Sequence, residues 1–287
     1  MRATDIARGA LMGTADLVPG ISGGTVALLL RIHTRLINAI AAWGPKSLGD
    51  FRAFFGGERE RIAPYEFGFI LPLGLGIGGA ILAGSTFVEH AIASKPQLLM
   101  ALFFGLILSA SQAPWRLVRH RKPSAVWLVN GIGIAAILSL IPGADLPAVW
   151  WGAFIGGFIA VSAMILPGIS GSGLLILMGL YQPIIGAASQ LELLILIPFA
   201  IGGVLGIMLT SRGLRYLLSE HADQTLAMLT GLLLGSLVQV WPWRTEMDFA
   251  SGLPAAPMFD TAWIWILVGI GIPFGLEALA RLQPEAE

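Results

Sequence analysis

Long runs of apolar residues, bounded by charged residues, recur along this chain. Six of them cover roughly 64–88, 97–114, 124–141, 191–210, 225–241 and 262–280. Each is close to the ~20 residues that a helix needs to cross the hydrocarbon core of a bilayer. The pattern therefore predicts six membrane-spanning helices.

Two further apolar regions, about 6–42 and 148–190, are interrupted near the middle by Pro-Gly. Proline lacks a backbone N–H and fixes φ, so it stops a helix. We predict two half-length helices in each region, with structural breaks at Pro19-Gly20 and Pro167-Gly168. The charged segment 43–63 that follows the first region is predicted to be a surface loop or an interfacial helix.

The two broken regions are related in sequence, because Pro19-Gly20-Ile21-Ser22-Gly23 recurs as Pro167-Gly168-Ile169-Ser170-Gly171. After the segment 43–63, Leu71-Pro72-Leu73-Gly74 resembles Ile197-Pro198-Phe199-Ala200. We predict an all-α polytopic membrane protein that forms a single transmembrane domain over 1–287. Its first repeat is 1–142, with 43–63 as an insertion, and its second repeat is 143–287.

The distribution of basic residues predicts the topology, since short cytoplasmic loops are enriched in Lys and Arg. If the N-terminus is cytoplasmic and both broken segments are re-entrant, every Lys and Arg except Lys95 and Arg244 lies on the cytoplasmic side. Each repeat then has three spans. Because three is an odd number, the second repeat is inverted relative to the first, and both termini are cytoplasmic. Full crossing by each broken segment is an alternative that also gives inversion.

Composition agrees with a membrane location and limits the chemistry. Hydrophobic residues make up 56% of the chain, charged residues 12%, and the mean hydropathy is +0.80, far outside the range of soluble proteins. The net charge of zero gives no indication of a nucleic-acid partner. Without cysteine there is no thiolate site, and the four histidines have no metal-ligand spacing. We predict no cofactor, no metal and no catalytic residues.

The residues after each break are suited to binding an anion. Broken helices that meet inside a membrane point unpaired N–H groups at one spot, and hydroxyls add further donors. The candidate substrate-binding residues in these loops are Ser22, Gly23, Gly24, Thr25, Ser170, Gly171 and Ser172. For Gly9, Gly13, Gly76, Gly131 and Gly157 we favour the simpler interpretation that they allow close helix packing.

Three charged residues next to the first break have two interpretations each. Asp16 is an intramembrane carboxylate that either carries a coupling proton or caps the following half-helix. Arg31 and Arg35, one helical turn apart, either meet an anion from the cytoplasmic side or anchor the topology by snorkelling to the interface.

Two long motifs resemble a known family. The first motif comprises Met12-Gly13, Ala15-Asp16 and Val18 through Thr25. The second comprises Leu166 through Ser172 with Met178-Gly179-Leu180-Tyr181. Both are similar to motifs of the polyprenyl-phosphate transporter family of bacteria and archaea, the PopT type, formerly a domain of unknown function. The resemblance covers nearly the whole chain. It departs at Arg31-Ile32-His33, where the family pattern leads us to expect Gly-x-Tyr.

The resemblance implies a transporter in the inner (plasma) membrane that moves undecaprenyl phosphate from the outer to the inner leaflet, so that this lipid carrier is reused in cell-envelope synthesis. Lipid phosphate and membrane lipids would then be its partners. Two alternatives stay open, a lipid-phosphate phosphatase and a transporter of another small anionic solute. The absence of a base beside Ser22 argues against a hydrolase.

Overall fold

A computed structural model of the protein describes residues 3–17, 21–44, 46–56, 59–140, 143, 145–243, 257–258 and 260–282. Within these ranges every regular element is a helix. Pro19 and Gly20, where we predicted the first break, lie outside the described residues, as do Arg2 and Arg244. Pro167 and Gly168, the second predicted break, lie in a turn between two helices.

The described part of the first half of the chain contains eight α-helices. They are α1 (Ala3–Asp16), α2 (Gly23–Leu29), α3 (His33–Ala42), α4 (Ser47–Phe55), α5 (Phe67–Ser94), α6 (Pro96–Ala110), α7 (Gln112–Leu117) and α8 (Arg121–Leu140). A 3-10 helix, Arg59–Tyr65, lies between α4 and α5.

The described part of the second half contains six α-helices. They are α9 (Trp150–Met164), α10 (Gly171–Leu177), α11 (Tyr181–Gln190), α12 (Leu193–Glu220), α13 (Ala222–Ser236) and α14 (Ala262–Leu282). All six predicted spans therefore coincide with a helix: α5, α6, α8, α12, α13 and α14.

Several of these helices could cross a membrane. Among the described residues, four stretches are long and apolar enough by length and composition: Glu60–Ala83, Pro96–Leu117, Arg121–Ser139 and Leu193–Glu220. The number rises to as many as six if each of two sharply bent helix pairs counts as one span. The chain is thus a helical protein of the multi-pass membrane type.

Each broken apolar region forms three helices, so our prediction of two half-length helices was wrong. The additional break lies between α2 and α3, which are bent by 120°, and between α10 and α11, bent by 111°. Arg31 and Gly179 sit at these breaks with φ of 57° and 67°. Left-handed backbone of this kind ends a helix, and glycine adopts it without steric penalty whereas arginine rarely does. The residue type at position 31 therefore gave no sign of the break.

Corresponding helices in the two halves have the same length or differ by one residue. α2 and α10 each have seven residues and begin 148 residues apart, at positions 23 and 171. α5 and α12 each have 28 residues and begin 126 residues apart, at positions 67 and 193. The spacing changes because 43–63 and its flanks precede α5, whereas two residues join α11 to α12. Within that segment α4 and the 3-10 helix form, so it is largely helical.

Glycines hold equivalent helix pairs together. Gly9 of α1 lies against the Leu73 carbonyl of α5, and Gly157 of α9 lies against the Phe199 carbonyl of α12, so a side chain at either glycine would collide with backbone. The two glycines are 148 residues apart and the two carbonyl residues are 126 apart, the same spacings that separate the corresponding helices. The packing interpretation is confirmed for all five glycines to which we gave it: Gly9, Gly13, Gly76, Gly131 and Gly157.

The third long helix of each half packs against the other half. α8 lies along α13, where Gly131 faces the Met228 carbonyl. α14 lies along α6, where Gly269 faces the Leu102 carbonyl. The two halves therefore pack against each other through both of these helix pairs.

Candidate functional site

The described residues of the two repeated loops lie next to α13. Ile21 packs in one apolar cluster with Leu233 and Val240. Ile169 packs against a second cluster that contains Ile165 and Leu232. Because successive residues of α13 belong to both clusters, this helix brings the two loops together.

Ser22 joins the first loop to the end of α9. Its hydroxyl donates to the carbonyl oxygen of Met164 at 2.8 Å and accepts from the backbone N–H of Gly24 at 3.1 Å. The second of these bonds makes Ser22 the N-cap of α2. Gly24 lies so close to α9 that a β-carbon would be 2.5 Å from the Met164 oxygen. The start of α2 therefore packs directly on the backbone that precedes the second loop.

Thr25 contacts the second Pro-Gly turn. The backbone N–H of Gly168 donates to the Thr25 hydroxyl at 3.2 Å, and Thr25 is 1% exposed. Gly168 has a φ of 85° and lies against the backbone of Leu232 and Leu233, so only glycine fits there. This bond fixes the tip of the second loop to a side chain of the first.

His33, the first residue of α3, makes a third contact of the same kind. Its Nε2 lies 2.8 Å from the carbonyl oxygen of Ile165, so Nε2–H is the donor. The side chain is buried at 4% exposure. Sequence reasoning singled out His33 only as a departure from the family pattern. No direct signal in the sequence indicates this contact, which joins residues 132 positions apart.

The second loop has its own hydroxyl pair. Ser170 is the N-cap of α10 and accepts from the Gly173 N–H at 3.1 Å, while its hydroxyl lies 3.0 Å from that of Ser172. Gly171 is buried against α9, where a β-carbon would be 2.6 Å from the Ala160 oxygen. All four predicted hydroxyl side chains are thus engaged in hydrogen bonds within or between the loops.

Asp16 ends α1 and reaches the start of α2. Its carboxylate accepts a hydrogen bond of 2.6 Å from the Gly23 N–H, and a β-carbon on Gly23 would be 2.6 Å from the other carboxylate oxygen. The capping contact that we considered for Asp16 is therefore present. Its role in carrying a coupling proton stays a prediction.

The two predicted arginines lie in different surroundings. Arg35 pairs with Glu66 at 2.5 Å and lies 4.1 Å above the centre of the Phe69 ring. Arg31 instead lines a cavity of about 670 Å³ together with His33 and Thr34. The geometry separates them, with Arg35 packed against α5 and Arg31 in the wall of the cavity.

These residues together can bind an anion but form no evident metal site. Hydroxyls and backbone N–H groups are donors that suit phosphate oxygens. Among the residues that the structure describes, no group of three or more His, Cys, Asp or Glu could hold a metal ion. The cavity beside Arg31 is within the size range of small-ligand sites.

Comparison with known proteins supplies the family. The model of the VCA0040-like family, described as undecaprenyl phosphate translocase-like, matches residues 12–252. The chain is 35% identical over 244 residues to a polyprenyl-phosphate transporter of Vibrio cholerae serotype O1, which covers 84% of this chain and 78% of that protein. It is 30% identical over 257 residues to a polyprenyl-phosphate transporter of Staphylococcus aureus, covering 83% of this chain and 86% of that protein.

No solved structure matches the chain. The family model includes both repeated loops and α1 from Met12 onward, and it continues beyond α13. The resemblance that the two motifs indicated is thereby confirmed: this chain belongs to the undecaprenyl phosphate translocase-like family.

Proposed function

We propose that this protein transports undecaprenyl phosphate, or a closely related polyprenyl phosphate, from the outer to the inner leaflet of the inner membrane. The lipid would then be available again for cell-envelope synthesis. The observation that carries the proposal is the similarity, over more than four-fifths of the chain, to two proteins that are both named polyprenyl-phosphate transporters.

The architecture that we propose is a single transmembrane domain of two inverted repeats, 1–142 and 143–287, with both termini in the cytoplasm. Equal or nearly equal helix lengths, equivalent glycine contacts and the reciprocal packing of α8 on α13 and α14 on α6 support the repeat. An odd number of spans in each repeat and the distribution of basic residues support the inversion.

The phosphate site that we propose comprises the hydroxyls and backbone donors of the two loops. In the conformation described above, Ser22 and Thr25 bind the backbone around the second loop. Movement of the loops apart would release Ser22 and Thr25 from these backbone partners, and a phosphate could then bind their hydroxyls together with those of Ser170 and Ser172, whose present hydrogen bonds lie within the second loop. This replacement of hydrogen-bond partners costs little free energy, because the charged phosphate takes the place of neutral acceptors.

Asp16 could couple this step to a proton. Its carboxylate accepts from the Gly23 N–H, a donor that an incoming phosphate would also use. A proton added to the carboxylate removes its charge, weakens its hold on that N–H and lowers its repulsion of the phosphate. Under this proposal protonated Asp16 and bound lipid phosphate occur together.

Proteoliposomes test the function. Purified protein is reconstituted with labelled polyprenyl phosphate in one leaflet, and the appearance of the lipid in the other leaflet is followed. We expect exchange that is faster than in protein-free liposomes, with no inorganic phosphate released. Exchange no faster than in protein-free liposomes would contradict the proposal, and release of inorganic phosphate would indicate a phosphatase instead.

A further inference from the structure

The cavity beside Arg31 has three arginines in its wall, each from a different element. Arg8 comes from α1, Arg31 from the turn between α2 and α3, and Arg116 from α7. Sequence reasoning gave Arg8 and Arg116 only a topological role. In the structure these residues, far apart in sequence, lie on one cavity of about 670 Å³.

Arg8 and Arg116 are held in place by neighbouring side chains. Arg8 pairs with the carboxylate of Asp5 at 2.9 Å, and Asp5 is 1% exposed. Arg116 donates to the side-chain oxygen of Gln112 at 3.1 Å. A side chain already fixed by such contacts loses less conformational freedom when it binds a ligand. The basic side of the cavity is therefore partly preorganised.

The basic residues of the cavity suit the negative charge of a phosphate monoester. Among its described lining residues none is acidic, and Asp5, behind Arg8, offsets the charge of that arginine. A phosphate monoester carries roughly −1.5 to −2 near pH 7, so it is attracted to a wall that contains arginines. Arginine also binds phosphate oxygens with two parallel hydrogen bonds.

The rest of the lining is apolar and suits a hydrocarbon chain. Leu28, Leu29 and Leu30 form one part of it, and Pro273 and Phe274 of α14 form another. Phe274 is 46% exposed, so this part of the wall extends to the outer surface of the helix bundle. A ligand with a phosphate at one end and an apolar chain at the other would satisfy both parts.

We propose that this cavity is a second binding station, distinct from the buried loops, for the phosphate of a prenyl phosphate on the face that carries Arg8. Arg8, Arg31 and Arg116 contact the phosphate, and Asp5 is a positioning residue for Arg8. This inference rests on the proposed function. His33, which lines the cavity and also binds the Ile165 carbonyl, connects the station to the second loop.

Equilibrium binding to the purified full-length protein tests the station. The probes are a short-chain prenyl phosphate, the matching prenyl alcohol and inorganic phosphate. We expect Arg116→Gln to weaken prenyl phosphate binding about tenfold or more, since it removes a charge-assisted hydrogen bond to the phosphate. Arg215→Gln, which alters an exposed arginine outside the cavity, is the matched control and should change binding less than twofold.

Arg8 needs a paired substitution, because Arg8→Gln alone would leave the buried Asp5 carboxylate without its partner. The double variant Asp5→Asn with Arg8→Gln avoids this problem and should also bind about tenfold more weakly. The alcohol should not compete with prenyl phosphate at equal concentration, and inorganic phosphate should compete far less well.

Three results would overturn the inference. In the first, both Arg116→Gln and the double variant bind prenyl phosphate within twofold of the parent. In the second, the alcohol competes with prenyl phosphate. In the third, inorganic phosphate competes as strongly as prenyl phosphate does. Leaflet exchange by the parent separates the two proposals. If the parent exchanges lipid and the variants bind prenyl phosphate normally, only the proposed station is overturned. If the parent does not exchange lipid, the proposed function is overturned.

Discussion

Gly24 shows how tightly the two loops are packed. A methyl group there would lie 2.5 Å from the Met164 oxygen, which is backbone and cannot turn aside. We expect Gly24→Ala to destabilise the protein by about 1–3 kcal/mol, the usual penalty for overpacking. Thermal unfolding in detergent measures the change.

Gly133 supplies the control for this prediction. It lies in α8, where a β-carbon would meet nothing within 4 Å. Gly133→Ala should therefore leave the unfolding temperature unchanged or raise it slightly, since alanine favours a helix over glycine. Equal effects of the two substitutions would contradict the packing that we describe at Gly24.

Thr25 tests the bond between the loops. Thr25→Val keeps the shape of the side chain but removes the acceptor of the Gly168 N–H, which is buried. An unsatisfied buried N–H costs about 1–3 kcal/mol, so the unfolding temperature should fall. Thr25→Ser retains the hydroxyl and should lose less stability. A valine variant as stable as the serine variant would show that this bond is unimportant.

At the scale of the element, the breaks between α2 and α3 and between α10 and α11 have the same backbone geometry with different residues. Arg31 has a φ of 57° and Gly179 a φ of 67°. Left-handed backbone costs a residue with a β-carbon about 1–2 kcal/mol. We therefore expect Arg31→Gly to be about 1 kcal/mol more stable than Arg31→Ala. Both variants lack the guanidinium, so their comparison isolates the backbone effect.

Gly179→Ala is the reciprocal test in the other half. Alanine there takes up left-handed backbone and also collides with the side chain of Asp145, so we expect a clear loss of stability. Chemical unfolding compares all three variants with the parent. If Arg31→Ala proved as stable as Arg31→Gly, the proposed strain at position 31 would be absent.

An element could be predicted from the sequence when the residues at its ends mark a helix break. Runs of apolar residues identified all six long helices, and Pro167-Gly168 marked its turn because proline ends a helix. The break at Arg31 could not be predicted, since arginine does not favour left-handed backbone. Its recognition required the alignment of position 31 with Gly179, a glycine that the structure shows at positive φ.

The candidate site was predictable only in part for a similar reason. Hydroxyls and glycines after each break are visible as a repeated motif. The contacts of Ser22 with Met164 and of His33 with Ile165 join residues more than 130 positions apart and follow from helix packing. The approach of Arg8 and Arg116 to Arg31 has the same origin, and a charge count along the chain could not show it.

At the scale of the whole molecule, the inverted arrangement that we propose predicts which face each loop occupies. The chain has no cysteine, so single cysteines can be placed at Lys95, Arg119 and Ala188, all exposed in the structure. We expect a membrane-impermeant thiol reagent to label position 119 from the cytoplasmic side, and positions 95 and 188 from the opposite side. Labelling of position 188 from the cytoplasm would contradict the inverted second repeat.

The central claim is that the two loops together bind the phosphate of a lipid that crosses the membrane. The most direct measurement is leaflet exchange of polyprenyl phosphate in proteoliposomes by the double variant Ser22→Ala with Ser170→Ala. Thr225→Ala removes a buried hydroxyl that donates to the carbonyl oxygens of His221, which precedes α13, and of Leu217 near the end of α12, so it controls for general loss of stability. At equal amounts of folded protein, we expect at least a tenfold slower exchange for the double variant and a rate close to the parent's for Thr225→Ala. Exchange by the double variant at the parent's rate would contradict the central claim.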